Sequence, residues 1–463
     1  MDLELASRQK NMYNHSPQGG RGRSNDSSRR SPNNNYSSRR SSDQGFSNQG
    51  SNSSDNRSFG HFSNNNSFSP QRSFGGGNSF RGGRSGGRRN FSSGGNFIQS
   101  YIQRATASKQ QVIEEIIVTL GINELPISDR LKQAVMARGY KELTPIQEKA
   151  IPAIIEGRDI IGIANTGTGK TAAFLIPVIE KIIQDHNCKT LIITPTRELA
   201  LQIQEELHSF SRNMPINSAV LIGQTSMRKQ ISDLRRSPQV VIGTPGRLQD
   251  LHKQRYLDFN TFSTIILDEV DQMLDMGFVN EIKRIVSFLP QDRQSLFFSA
   301  TITPSIQSII QSFTKEPVMI SVKTQETTSH IHQDVVKYQS ESHKVEILSG
   351  LLKQEELKKV LVFGQTKHGV EKLTQELFDQ GFKAISIHGN KSQSQRQQAI
   401  RLFKEDRCTI LVATDVAARG LDINNVSHVI NFDPPENYES YIHRIGRTGR
   451  AHKEGTALTF VRG

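Results

Sequence analysis

The chain has 463 residues, only 34% of them apolar, and its 58 Lys plus Arg against 45 Asp plus Glu leave a net charge of +13. Its two cysteines, Cys188 and Cys408, stand far apart with no Cys or His at ligand spacing, which excludes a disulfide scaffold or a zinc site and fits a reducing compartment. No apolar run approaches the roughly 18 residues that cross a bilayer, and Met-Asp-Leu-Glu-Leu is neither basic nor followed by an apolar core, so a soluble, cytoplasmic chain without a membrane partner is expected.

Charge and apolarity are unevenly spread. Residues 1–100 hold 14 Lys plus Arg and 5 Asp plus Glu, so 14 − 5 = 9 of the 13 surplus charges lie there and 4 remain for the rest. So few aliphatic residues cannot offset chain entropy by burial, and a disordered arm is expected over residues 1–107. Arg-Gly clusters recur at Arg21-Gly22-Arg23, Arg81-Gly82-Gly83-Arg84 and Gly86-Gly87-Arg88-Arg89, with Phe59, Phe62, Phe68, Phe74, Phe80, Phe91 and Phe97 between and after them. Guanidinium groups bind phosphate and stack on bases, and spaced aromatic rings add stacking surfaces. The arm therefore reads as a sequence-tolerant grip on single strands, which also offers a site for protein cofactors. A solubilising spacer is the plainer alternative, but a spacer has no need of Arg in place of Lys.

Order is expected from Ser108, a candidate cap for a helix carrying Val112, Ile113, Ile116, Ile117 and Leu120. A second helix spans about Ser128 to Arg138, and Thr144-Pro145-Ile146-Gln147 follows. Strands near 160–164, 190–194, 218–222, 239–243, 263–268 and 295–299 then alternate with helical stretches, the pattern of a parallel sheet covered on both faces. A polar stretch around Val322 to His332 reads as a linker. A second series follows, with strands near 334–338, 359–363, 384–388, 409–413, 428–431 and 456–460. The expected division is an arm at 1–107, a first α/β domain at 108–323, a linker at 324–331 and a second domain of the same plan at 332–463.

Only the first domain has a phosphate loop. Strand Ile160–Ala164 runs into Asn165-Thr166-Gly167-Thr168-Gly169, and Lys170-Thr171 open a helix. The glycines let backbone N–H groups converge, the helix N-terminus adds positive potential, Lys170 reaches the β- and γ-phosphates, and the Thr171 hydroxyl takes Mg²⁺. Ala164 stands where the usual pattern has its first glycine. Asp268-Glu269 end the apolar strand Thr264-Ile265-Ile266-Leu267, where Asp268 can hold Mg²⁺ directly or through water and Glu269 can deprotonate the attacking water. Ser299-Ala300-Thr301 end another strand and place two hydroxyls within reach of the acidic strand end. In the second domain, Arg444, Arg447 and Arg450 recur at spacings of three, which on a helix aligns them. Three such cations repel unless an anion faces them, so Arg447 and Arg450 are candidate arginine fingers for a γ-phosphate held by the other domain. A solvated basic helix is the plainer reading.

The ordered set Gln147, Ala164 to Thr171, Pro195-Thr196-Arg197-Glu198-Leu199-Ala200, Thr244-Pro245-Gly246-Arg247, Asp268-Glu269-Val270-Asp271, Ser299-Ala300-Thr301, Ala418-Arg419-Gly420-Leu421-Asp422 and His443 to Arg450 resembles the DEAD-box ATP-dependent RNA helicases. The resemblance covers about residues 121–462. It implies two RecA-like domains that close on ATP, Mg²⁺ and RNA together, with strand separation or remodelling of RNA–protein complexes driven by ATP hydrolysis in a monomer. It also makes Gln147 the adenine reader and gives Asp422 to the ribose or the interdomain nucleotide contact. For RNA it nominates Arg197, Thr244 and Arg247 in the first domain and Gln393, Arg396 and Thr414 in the second. Such contacts go to phosphate and sugar, so little base selectivity is expected.

Three departures from the family's pattern stand out. Val270 replaces the alanine of the name motif, Ile122 replaces a phenylalanine that stacks on adenine, and Val461-Arg462-Gly463 follow the last strand where relatives continue into a closing helix. Two other classes fit parts of the sequence. One is an RNA-binding assembly protein whose ATPase gates condensation through the arm; the other is a DNA-directed motor of similar plan, which the Gln147 and Ser-Ala-Thr motifs disfavour.

Overall fold

The computed structural model describes residues 94–107, 120–165, 167–311, 313–322, 330–421, 423, 426–449 and 454–463. The helix expected from Ser108, together with Thr166, Asp422, Arg450 and the chain before residue 94, lies outside them.

Helices α1 (Gly94–Ala107), α2 (Asp129–Ala137) and α3 (Pro145–Ile155) precede the first sheet. Pro145 opens α3 at a position whose N–H would be unpaired anyway, and the Gln147 side chain returns to accept from Thr144 N at 2.9 Å. The short apolar run Ile160–Ala164 forms β1, and α4 (Lys170–Gln184) follows its loop. The series continues with β2 (Thr190–Ile193), α5 (Arg197–Phe210), β3 (Ser218–Leu221), α6 (Met227–Leu234), β4 (Val240–Gly243) and α7 (Pro245–Lys253). Next come β5 (Thr264–Asp268), α8 (Val270–Asp275), α9 (Val279–Ser287), β6 (Gln294–Ser299), α10 (Pro304–Gln311) and β7 (Val318–Val322).

These seven strands pair in the order β3-β4-β2-β5-β6-β1-β7, every pairing parallel. Strands buried on both faces need apolar residues at successive positions, and β2 supplies them: Ile192 packs with Phe174, Ile203 and Phe298 on one face, and Leu191 and Ile193 with Phe259 and Leu267 on the other. The order leaves β6 between β5 and β1, so the acidic strand end, Ser299-Ala300-Thr301 and the phosphate loop emerge side by side. Strand β7 was not expected from the sequence. It is an edge strand whose alternate residues face solvent, Met319 being 58% exposed, so it lacks the continuous apolar run of its neighbours.

The second domain comprises β8 (Ile331–Tyr338), α11 (Glu341–Leu351), β9 (Val360–Phe363), α12 (Lys367–Asp379), β10 (Ala384–Ile387) and α13 (Gln393–Lys404). It continues with β11 (Ile410–Ala413), α14 (Asp415–Ala418), β12 (His428–Asn431), α15 (Tyr438–Ile445) and β13 (Gly455–Arg462). Its parallel sheet runs β10-β11-β9-β12-β13-β8. Both domains thus have the parallel α/β plan expected of them.

The expected arm reached residue 107, but its last part, 94–107, is the helix α1. The helix packs on β8, β13 and α15 of the second domain. Ile98, Tyr101 and Ala105, one face of α1 at spacings of three and four, are buried there, which composition alone does not reveal.

Candidate active site

The phosphate loop is held open by conformation and by Gln147. Gly167 and Gly169 adopt φ of +88° and +89°, and a Cβ on Gly169 would lie 2.3 Å from Gln147 Nε2. Thr168 Oγ1 donates to Asn165 O at 2.8 Å and Lys170 Nζ to Ala164 O at 2.7 Å, so the buried lysine is folded back along the loop that it closes. Thr171 is half-buried one residue later. Gln147 is fully buried and donates from Nε2 to Gly169 O at 3.1 Å. The amide expected to read adenine is therefore engaged inside the protein, where it ties α3 to the phosphate loop. Ile122, in the place of the stacking phenylalanine, is buried in the first-domain core, as is Val270, whose added methyl groups that core absorbs.

Asp268 ends β5 and accepts from Glu269 N at 3.0 Å. Glu269 turns back at φ +55°, and its Oε2 is buried without a hydrogen-bond partner. Burial pushes the Asp268 carboxyl above its ordinary pKa, against the pull of Lys170. Burial and then the Asp268 charge raise Glu269, while Lys170 and Arg447 oppose the rise. The hydroxyl motif meets a different carboxylate from the expected pair. Asp271 Oδ2 accepts from Ala300 N and Thr301 N at 3.0 Å and from Thr301 Oγ1 at 3.3 Å, whereas Ser299 Oγ donates to Thr301 O at 2.7 Å. Asp271 therefore pins the strand end, leaving Asp268 and Glu269 uncommitted to it.

Arg444 and Arg447 do not share a helical face. Helix α15 stops at Ile445, and Gly446 caps it. Arg444 points into its own domain: it grips Asp415 through Nε and Nη2, each at 2.6 Å, and donates from Nη1 to Asn431 Oδ1 at 3.2 Å and Asp433 O at 2.6 Å. Arg447, in the turn beyond, is buried, donates to Leu421 O at 2.8 Å and bears on Glu269 across the seam between the domains. Gly420 meets the same seam at φ +69°; a Cβ there would lie 2.7 Å from Thr196 Oγ1 and 3.7 Å from Glu269 Oε2. Arg419 Nη2 lies 3.7 Å from Asp275 Oδ2. His443 is mostly buried, its Nδ1 unpartnered; burial lowers its pKa against the pull of Asp271.

The six nominated RNA contacts divide. Arg197 donates to Gln224 Oε1, and Arg247 Nη1 to Gln230 Oε1 at 3.0 Å, both on the first domain. Thr244 and Thr414 stand at the N-caps of α7 and α14 without using their hydroxyls as caps. Gln393 and Arg396 instead cross the seam to buried Glu198: Gln393 Nε2 and Arg396 Nε reach Glu198 Oε1 at 3.1 and 2.8 Å. Burial and then Arg396 and Arg247, against Glu198, lower the Arg197 pKa, which marks the three arginines as one electropositive cluster. Glu198, Asp271 and Gly420 were inside motifs read from the sequence, yet their partners lie on distant segments and nothing local announces them. Among the described residues, no group of three or more His, Cys, Asp or Glu side chains forms a metal site, and no helix is long and apolar enough to cross a membrane.

Residues 144–309 match the DEAD/DEAH box helicase family, and residues 343–452 match the helicase conserved C-terminal domain. Over 340 residues the chain is 45% identical to the ATP-dependent RNA helicase CshA of Listeria monocytogenes, covering 73% of this chain and 65% of that protein. The CshA of Limosilactobacillus reuteri is 44% identical over 340 residues, 73% of this chain and 68% of its own. The chain thus spans about two thirds of the length of these relatives. Among solved structures, Mss116p bound to single-stranded RNA and AMP-PNP is 30% identical with a TM-score of 0.68, covering 76% of each chain. Dbp5 of S. cerevisiae bound to RNA and ADP BeF3 is 28% identical with a TM-score of 0.66, covering 74% of this chain and 90% of that one. Two matched domain families in the right order, and relatives this similar over both, place the chain in the DEAD-box helicase family.

Proposed function

We propose that the chain is an ATP-dependent RNA helicase that hydrolyses ATP to separate short duplexes or remodel RNA–protein complexes, contacting backbone rather than base. The observation that carries this is the Glu269 carboxyl, whose Oε2 is buried without a hydrogen-bond partner at the seam, with the phosphate loop on its own domain and Gly420 and Arg447 opposite. A buried acid oxygen without a donor is costly unless a ligand completes it. The orphaned oxygen, the positive-φ loop and the Thr171 and Asp268 oxygens fit a triphosphate with a divalent cation. Mg²⁺ held by Thr171 and Asp268, largely through water, would neutralise charge on the phosphates.

Within that reading, Asn165 to Thr171, with Thr166 in the undescribed part, cradle the triphosphate beyond Ala164. Lys170 exchanges Ala164 O for phosphate oxygen, and Gln147 holds the loop in shape and presents its remaining amide capacity to the base. Glu269 orients water and takes its proton. Arg447 and Arg450 meet the terminal phosphoryl, and Asp422 meets the ribose; each requires the domains together. Arg197, Thr244, Arg247 and Thr414 take RNA phosphate and sugar, and Gln393 and Arg396 face RNA from the Glu198 contact. The domain limits above, a cytoplasmic monomer and an arm that recruits RNA and protein cofactors complete the reading. Steady-state ATPase with RNA, with DNA and with neither tests it: RNA stimulates and DNA does not, whereas equal stimulation by both removes RNA as the substrate.

A further inference from the structure

Helix α1 belongs to neither domain by sequence: it precedes the first domain yet lies on the second. Its composition is weak for a free helix, since it starts Gly94-Gly95 and carries Ser, Thr, Asn and two Gln-containing turns. A 14-residue helix of this kind is marginal in water, so its order depends on what it packs against. What it packs against is specific. The Tyr101 ring lies 5.5 Å from that of Tyr438 in an edge-on contact and 5.8 Å from that of Tyr441. The Arg104 guanidinium sits 4.1 Å over the Tyr438 ring. Tyr441 is fixed in turn by its hydroxyl, which donates to Gln333 Oε1 on β8 at 2.8 Å. Ile98 and Ala105 are buried on the same face, 1% and 0% exposed, while Gln99 and Gln103 turn outward.

We infer that the β8–β13–α15 face of the second domain is a docking surface for a short helix, and that its occupant is residues 94–107 of the same chain, acting as a clasp. The chain joins the domains once through the residues between β7 and β8. Docked α1 adds a second attachment, because residues 94–107 precede the first domain along the chain and pack on the second. Two attachments at different points restrict the relative orientations of the domains and raise the effective concentration of one near the other. The docked helix coexists with the seam contacts Glu198–Arg396, Arg419–Asp275 and Gly420–Thr196, so the orientations it keeps include the one in which these contacts form. Its ring and cation contacts go to Tyr438 and Tyr441, and its effect falls on closure rather than on the chemical step.

The test rests on the helicase reading above and is built to separate the two. Full-length chain, Tyr101→Ala, Arg104→Ala and the outward-facing control Gln103→Ala are compared by hydrogen exchange and by ATPase titrated with oligoribonucleotide and with ATP. The clasp requires slowed exchange over 94–107 in the unaltered chain, lost in Tyr101→Ala. It also requires KM for RNA to rise roughly 5- to 20-fold in that variant with kcat at saturation unchanged. Arg104→Ala, which removes only the guanidinium over Tyr438, shifts KM the same way by roughly threefold and guards against a folding defect in the larger deletion. Exchange over 94–107 at the rate of an unfolded peptide overturns the proposal, as does a KM that is unchanged or lower in Tyr101→Ala. If the unaltered ATPase ignores RNA, the helicase reading fails instead, and exchange together with KM for ATP decides the clasp.

Discussion

Glu198 offers a measurable link between the two domains. Glu198, Gln393 and Arg396 are each about 5% exposed or less, and one carboxylate oxygen accepts from both partners, at 3.1 and 2.8 Å. Solvent screening is weak at such depth. Removing one member of a buried pair costs about 3–5 kcal/mol when the other stays buried, and because Arg396 regains water whenever the domains part, that cost weighs on the closed state. The loss to closure is at least that of the charge-assisted hydrogen bonds, about 2–3 kcal/mol, or a rise of at least roughly 30- to 150-fold in the RNA concentration needed for half-maximal ATPase. The assay is a double-mutant cycle of Glu198→Ala, Arg396→Ala and the pair. The double variant should be little worse than either single one, with a coupling energy of about 2 kcal/mol. If the Glu198 contact competes with the grip of Arg396 on RNA instead of supporting it, Glu198→Ala frees Arg396 and RNA binding holds or improves. That result, or additive losses, would refute the reasoning.

Two further outcomes follow from the site and the second domain. Glu269→Gln keeps the shape of the side chain but removes the base, so it should trap closed, ATP-loaded complexes on RNA; nucleotide trapping with labelled RNA checks this, and unchanged turnover removes Glu269 from its role. Glu371 Oε2 accepts from Ser386 Oγ at 2.6 Å and His388 Nε2 at 2.8 Å, with Lys391 Nζ 3.2 Å away. Burial works to raise its pKa, but the His388 and Ser386 hydrogen bonds and the Lys391 charge hold it down at about 2. A depressed carboxyl stabilises the fold above its unfolded value of about 4.3 and loses that contribution as pH falls from there toward about 2. Discounted for screening at a side chain 36% exposed, the contribution is about 1–2 kcal/mol. The stability gap between the chain and Glu371→Gln, from urea unfolding, should narrow between about pH 5 and about pH 3, and a constant gap contradicts the assignment.

Much of the fold was legible because buried parallel strands are written as unbroken apolar runs, as in Thr264-Ile265-Ile266-Leu267 or Val360-Leu361-Val362-Phe363. The phosphate loop, the acidic pair and Ser299-Ala300-Thr301 followed, since each ends such a strand. What could not be read was pairing across distance. Arg444 looked equivalent to Arg447 until its grip on Asp415, Asn431 and Asp433 separated them, and Gln393 and Arg396 looked open until they met Glu198, almost two hundred positions earlier. Strand β7 escaped because an edge strand alternates instead of running apolar. Helix α1 escaped because its apolar face is completed by Tyr438 and Tyr441, which its own sequence does not contain.

Gly420 sets how near the two lobes come. With only a hydrogen where any other residue carries carbon, the backbone of one lobe rests against Thr196 and Leu199 of the other. A single methyl group at this position would work as a doorstop: it would meet Thr196 and Leu199 of the other lobe, and the lid would stand ajar beside Glu269.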